Sequence, residues 1–195
     1  LWQDYANKYH WHVYFQENEN NVKNINHKSA TNALRYSVVD DININFSSTD
    51  FIQINQQVNL AMVEQALSWL APKANDHVLD LFCGLGNFSL PLARKVASVT
   101  GVEGMHSMVD SASANARLNN IDNCDFFQAD LNSDWLVNET NNKTPHKWVK
   151  NNFTKVLLDP ARAGAEKALE QVVKLAIPTI LYVSCEPSTL ASDSL

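Results

Sequence analysis

The sequence predicts an α/β fold, a parallel sheet with helices on both faces, behind a β-rich N-terminal segment. Three observations predict it. From residue 58 onward, segments of helical and strand periodicity alternate, and repeats of this kind build parallel sheets through right-handed crossovers. The first strand of that series, His77-Val78-Leu79-Asp80-Leu81-Phe82, is almost continuously apolar and runs into the glycine loop Cys83-Gly84-Leu85-Gly86-Asn87. The residues with chemistry to offer fall at the carboxyl ends of strands, where open α/β sheets bind their ligands.

Taken in order, residues 1–57 read as β-rich and irregular. His12–Phe15 and Leu34–Val39 are strand-like runs on either side of an Asn/Lys-rich stretch at 18–28. Ile42 to Ile54 alternates apolar and polar residues, as a half-buried strand does. This part has too little core to stand alone and is expected to pack on its neighbour, as the remnant of a preceding domain. Residues 58–195 form the second, incomplete domain. There Val58, Met62, Val63, Ala66, Leu67 and Leu70 share one face of a helix that Pro72 closes. After the glycine loop a helix runs through Arg94, with Pro91 in its first turn, where a missing N–H does no harm. A strand over Ala97–Val102 and a helix over Met105–Leu118 follow, the latter ended by Asn119-Asn120. Strands at Cys124–Phe127 and Lys155–Leu158, a helix over 166–176 and a strand over Thr179–Val183 complete the series. The polar stretch 136–152 interrupts it and is expected to be a surface loop.

Composition bounds the function. With 45% apolar residues, 5 glycines and 6 prolines, the chain is a folded one. No apolar run reaches the roughly 20 residues that cross a bilayer, and the N-terminus lacks a signal peptide's apolar centre. Cys83, Cys124 and Cys185 are far apart with no C-x-x-C pair, poor material for a disulfide framework, zinc site or iron–sulfur cluster, so a cytoplasmic setting is expected. A net charge of −6 argues against RNA binding by the chain alone. The chain begins without Met and stops at Leu195 just inside a new helix, so it reads as part of something larger.

Gly84-x-Gly86 after a strand fits many nucleotide-binding folds. A dinucleotide fingerprint wants a third glycine where Ser89 stands, which favours a ligand without a pyrophosphate, such as S-adenosylmethionine. Glu103, closing the second strand in Gly101-Val102-Glu103-Gly104, can accept both ribose hydroxyls of an adenosine, and Asp130, after the third, can accept from an adenine amino group. Singly, such acids are as readily plain solvated residues; glycine loop, Glu and Asp in order favour the cofactor reading.

Asp159-Pro160-Ala161-Arg162 ends the fourth strand. The proline holds Asp159 extended and turns the chain out of the sheet, so that Asp159 faces the cofactor and Arg162 is placed to hold a phosphate or carboxylate. By itself this is also an ordinary strand-to-loop turn. Cys185, in Tyr182-Val183-Ser184-Cys185-Glu186-Pro187, ends the fifth. A lone cysteine is more often a small buried hydrophobe than a nucleophile. Here it stands beside the cleft, ahead of a helix beginning at Pro187, and a helix N-terminus stabilises a thiolate. Glu186 acts in the opposite sense, and which effect wins is open. Cys83, following a buried strand, reads as structural.

Asp-Leu-Phe-Cys-Gly-x-Gly-Asn-Phe, Gly-Val-Glu-Gly, Leu-Asp-Pro-Ala-Arg-Ala-Gly-Ala and Tyr-Val-Ser-Cys-x-Pro-x-Thr-Leu-Ala together resemble the RNA uracil-C5 methyltransferase family. Phe51-Ile52-Gln53-Ile54-Asn55 is similar to that family's segment ahead of the methyltransferase fold, and the likeness runs from about residue 42 to 195. Ala161 points to its 23S ribosomal RNA branch, since the transfer-RNA branch more usually has Asp-Pro-Pro-Arg. The resemblance implies a Rossmann-like class I S-adenosylmethionine-dependent methyltransferase fold. It implies Cys185 as the nucleophile that adds to C6 of a flipped or unstacked uracil, and Gln53, Phe82, Asn87, Glu103, Asp130 and Asp159 as lining the cofactor site. It implies 23S ribosomal RNA as substrate; the protein is expected to be a monomer. It also places the proton-abstracting glutamate beyond Leu195, and an RNA-binding module and the cysteines of an iron–sulfur cluster ahead of Leu1. A piece lacking these is expected to be inactive, and their absence accounts for the acidic charge. Glu186 departs from the family's usual Asn. The rival readings are a transfer-RNA enzyme, a non-catalytic binding protein of the same fold, and a nucleotide-dependent oxidoreductase, which Ser89 disfavours.

Overall fold

The computed structural model describes residues 1–11, 13–18, 21–25, 34–136, 147–150 and 152–194. His12, much of the 18–28 and 136–152 stretches, and Leu195 lie outside them.

Five parallel strands form the central sheet: β5 (His77–Leu81), β6 (Ser98–Glu103), β7 (Cys124–Gln128), β8 (Lys155–Leu158) and β9 (Ile180–Tyr182), in the order β7-β6-β5-β8-β9. Each lies within a residue or two of its sequence-predicted run. Side chains alternate across the pleat, so each strand feeds two cores. Val78, Val99 and Leu157 join one with α2 (Gln56–Leu70), α3 (Ser89–Ala93) and α4 (His106–Leu118). Leu79, Leu81, Val102, Val156 and Leu158 join the other with α5 (Glu166–Lys174). The strand order reverses at β5, which opens a crevice between the carboxyl ends of β5 and β8. The last helix, α6 (Pro187–Asp193), starts at Pro187 as expected.

The N-terminal segment holds two antiparallel pairs, β1 (Tyr14–Asn18) with β2 (Asn21–Asn24) and β3 (Leu34–Ser37) with β4 (Asn43–Phe46). Four expectations for the chain need correction. The segment opens on a helix, α1 (Trp2–Tyr9), that the β-rich reading did not include. The strand expected over 42–54 ends at Phe46, because Ser47-Ser48-Thr49-Asp50 is a turn in which the Asp50 carboxylate accepts from the Ser47 N–H at 2.6 Å. And the 136–152 stretch is not all surface loop: Lys147–Lys150 form a 3-10 turn that buries Trp148 against Trp135, ring centroids 5.4 Å apart. The helix expected from residue 58 begins at Gln56, since the Asn55 side chain caps it by accepting from the Val58 N–H.

Residues 34–46 pack on the first core through Val38, Ile42 and Ile44. A polar seam fixes the register. Asn115 and Asn119 lie one turn apart on and at the end of α4, and each reads the edge of β4 as another strand would. Asn119 accepts from the Asn43 N–H at 2.9 Å and donates to its carbonyl at 2.7 Å; Asn115 accepts from the Asn45 N–H at 3.0 Å and donates to its carbonyl at 3.1 Å. Asn115 also donates to the carbonyl of Leu85 at 3.2 Å, so it ties the hairpin to the glycine loop. Because Asn115 is 1% exposed, its loss strands buried backbone groups. Asn115→Ala is expected to lower unfolding free energy by about 2–3 kcal/mol in denaturant titrations.

Candidate active site

The crevice above β5 and β8 is a cavity of about 550 Å³. Phe82, Gly84 and Asn87 from the glycine loop, Glu103 from the end of β6, Asp159 and Arg162 from the loop after β8, Gln53 and Cys185 line it. Eight of the ten sequence-predicted site residues therefore meet in one place. Gly86 belongs to the same loop but faces the helix behind it: at φ +93°, a Cβ there would lie 3.0 Å from Leu90 Cγ. Asp130 is not among the lining residues; it is exposed, and its carboxylate accepts from the Asn132 N–H at 3.0 Å in a local turn.

The glycine loop is built under constraint. Phe82 has φ 63° and Gly84 φ 52°, left-handed conformations that strain a bulky residue and suit a glycine. A Cβ on Gly84 would meet nothing within 4 Å, so the cavity reaches the bare backbone there. Glu103 supports the loop from the neighbouring strand: Oε2 accepts from the Gly84 N–H at 3.2 Å and Oε1 from the Met105 N–H at 3.1 Å. Asn87 is fixed by a reciprocal pair of 2.9 Å amide hydrogen bonds with Asn59, and its oxygen also accepts from the Tyr36 hydroxyl at 3.3 Å. Beneath the loop Asp80 is fully buried and accepts from the Ser89 hydroxyl, while its Oδ1 has no hydrogen-bond partner. Burial, reinforced by the charges of Asp159 and Glu103, pushes the Asp80 carboxyl up to about 7 despite the bonds from Ser89. Burial alone pushes Asp159 up to about 6.

All three cysteines are free thiols, and of them Cys185 is exposed, whereas Cys83 and Cys124 are buried. Burial pushes both of those thiols well above their ordinary range. The turn carrying Cys185 is held on both sides. The Ser184 hydroxyl donates to the Glu186 carbonyl at 2.9 Å and accepts from the Glu186 N–H at 3.1 Å. Glu186 caps α6, accepting from the Ser188 hydroxyl at 2.8 Å and its N–H at 3.3 Å. These bonds, from the side chain first, hold the Glu186 carboxyl below the usual glutamate range.

Sequence reading missed Tyr36, Ile52, Phe88 and Met108, which also line the cavity. Phe88 and Ile52 sit inside the motifs already quoted. Tyr36 and Met108 come from elements whose periodicity speaks only of burial.

The parallel sheet, its order and a cleft over the glycine loop define a Rossmann-like S-adenosylmethionine-dependent methyltransferase fold. Solved structures agree. The chain superposes on the Pyrococcus abyssi tRNA (uracil-54, C5)-methyltransferase in complex with S-adenosyl-L-homocysteine with a TM-score of 0.66 and 25% identity, over 83% of this chain and 37% of that one. It superposes on M. jannaschii TYW2 in complex with AdoMet with a TM-score of 0.59 and 16% identity, over 84% of this chain and 64% of that one, a likeness of fold alone. Residues 13–194 match the tRNA (uracil-5-)-methyltransferase family, and the chain belongs to that family. It is 53% identical, over its whole length, to 40% of the 23S rRNA (uracil(1939)-C(5))-methyltransferase RlmD of Colwellia psychrerythraea. It is 52% identical, over 82% of its length, to 69% of the RlmD of Photobacterium angustum. The chain thus spans about 40% of the length of the first of these relatives. Among the described residues, no helix is long and apolar enough to cross a membrane.

Proposed function

We propose that the protein is a cytoplasmic, monomeric enzyme that methylates C5 of a uridine in 23S ribosomal RNA, using S-adenosylmethionine, with Cys185 as its covalent nucleophile. The observation that carries this reading is the exposed Cys185 thiol sharing one cavity with the glycine loop, Glu103 and Asp159. The ribosomal substrate is supported by the relatives' names and by Ala161, where the transfer-RNA branch more usually has proline.

The residues present fit the cofactor. Bare backbone at Gly84 admits its amino-acid end, and any side chain there would stand in the cavity. Glu103 keeps spare lone pairs for ribose hydroxyls, and Phe82 gives an apolar face to the adenosine. Gln53, Asn87 and Asp159 complete the wall. When bound, S-adenosylmethionine would supply an electrophilic methyl group, its S–CH3 bond breaking to leave S-adenosylhomocysteine.

Uracil C5 is too poor a nucleophile to take that methyl unaided. The Cys185 thiolate adds to C6, and the C5=C6 π electrons move toward the C4 carbonyl, which makes C5 a carbon nucleophile. Once C5 is methylated, a base removes its proton, the double bond re-forms and the thiolate leaves from C6. Arg162, exposed and lining the cavity, offers a guanidinium to an RNA phosphate in this reading.

Incubating the full-length protein with 5-fluorouridine RNA and S-adenosylmethionine tests this, because fluorine at C5 blocks the final elimination. A stable adduct mapped by mass spectrometry to Cys185 is expected. An adduct on another residue, or methylation with no adduct, would sink the covalent mechanism. The same assay with ribosomal and transfer RNA distinguishes the two branches.

A further inference from the structure

The segments that carry the proposed chemistry meet at one carboxylate. Near the end of α6, Asp193 Oδ2 accepts from the Tyr182 hydroxyl at 2.6 Å and from the backbone N–H of Ala165 at 2.7 Å. Tyr182 closes β9 just ahead of Cys185, and Ala165 follows the loop that holds Asp159 and Arg162. Gly164, left-handed at φ +85°, presses against the same group: a Cβ there would lie 2.6 Å from Oδ2 and 3.1 Å from Oδ1. At the other end of α6, the Glu186 cap and the Thr189 hydroxyl, which donates to the Glu186 carbonyl at 3.0 Å, fix the first turn. The helix is a short strut clamped at both ends, with Cys185 just before it.

We propose that Asp193 is a positioning residue, which sets Cys185 against the loop bearing Asp159 and Arg162. The inference rests on Cys185 being the nucleophile. Those loops leave adjacent strands, and one backbone bond, from the Val183 N–H to the Leu158 carbonyl at 2.8 Å, joins the strand ends beside them. Asp193 adds a second tie farther out: the Ser184 and Glu186 bonds shape the Cys185 turn itself, and Asp193 joins that turn's helix to the neighbouring loop. Burial, then the bond and charge of Asp193, push the Tyr182 phenol above its ordinary range, so it remains a donor.

Nucleophile placement within about an ångström is worth on the order of 100-fold in rate. Asp193→Ala in the full-length protein is therefore expected to slow 5-fluorouridine adduct formation and kcat by about 10- to 100-fold, with KM for S-adenosylmethionine unchanged. Asp193→Asn keeps an oxygen that can accept both bonds and is expected to restore most of the rate. Tyr182→Phe, which removes one bond and opens no large cavity, should show a smaller loss in the same parameter. An undiminished adduct rate in Asp193→Ala overturns the inference. So does a parallel fall in adduct rate, cofactor affinity and melting temperature without rescue by Asp193→Asn, since that describes general structural damage. Cys185→Ala serves as the control: if it still methylates, the nucleophile reading itself is wrong, and if it alone is inactive, the positioning role is.

Discussion

Cys185→Ala in the full-length protein is expected to reduce methylation by about three orders of magnitude or more, while binding of S-adenosylhomocysteine persists. The size of the effect follows from the chemistry. Without a group bonded to C6, C5 stays part of an electron-poor conjugated ring, and positioning alone cannot make it attack a methyl group. Persistence of cofactor binding follows from the site: the glycine loop is held by Glu103 and by the Asn87–Asn59 pair, none of which bonds to the Cys185 turn. Serine at this position is not expected to substitute, because its hydroxyl is far less available as an anion than a thiol. Single-turnover assays and calorimetry measure the two halves separately. Residual turnover within tenfold of the parent would leave Cys185 a bystander on the rim.

The second large effect concerns Asp80. Its folded pKa, about 7, lies above the ordinary 3.8. Between those values the unfolded chain has released a proton that the folded chain keeps, so this residue's contribution falls as pH rises through that window and levels off above it. At one unit per 1.36 kcal/mol the loss amounts to at most about 4 kcal/mol by pH 8. Asp80→Asn keeps an acceptor for Ser89 but cannot ionise. Its melting temperature is expected to be flatter across pH 4–8 and higher at pH 8 than the parent's. Parallel curves for the two proteins would show that the carboxyl is not the source. Asp159, raised to about 6, contributes in the same sense, so the variant should retain part of the slope.

The parallel sheet was legible because strands buried on both faces must be apolar nearly throughout, as Val78 to Leu81 and Val156 to Leu158 show. Fixed sequence distances to those strands then placed Glu103, Asp159 and Cys185 at one edge. The helix α1 was not legible, since its aromatic residues Trp2, Tyr5 and Tyr9 are largely exposed and carry no inward stripe beyond Ala6. Asp130 marks where strand-end position stops being specific: it follows β7 as expected, yet it is not among the cavity's lining residues, and one of its oxygens accepts from the Asn132 N–H. Nor could sequence assign Asn115 and Asn119, whose partners are main-chain groups on a distant hairpin. A side chain that pairs with backbone leaves no complementary residue type to recognise.

That seam of asparagine amides also sets an order of events during synthesis. Asn43 and Asn45 leave the ribosome ahead of their partners by 76 and 70 residues. At roughly 5–20 residues per second, the hairpin waits about 4–15 s before α4 exists to receive it. Throughout that interval Val38, Ile42 and Ile44 have only the part of their core built by α2, α3 and the first two sheet strands, and the edge of β4 keeps its backbone groups open to water until α4 arrives.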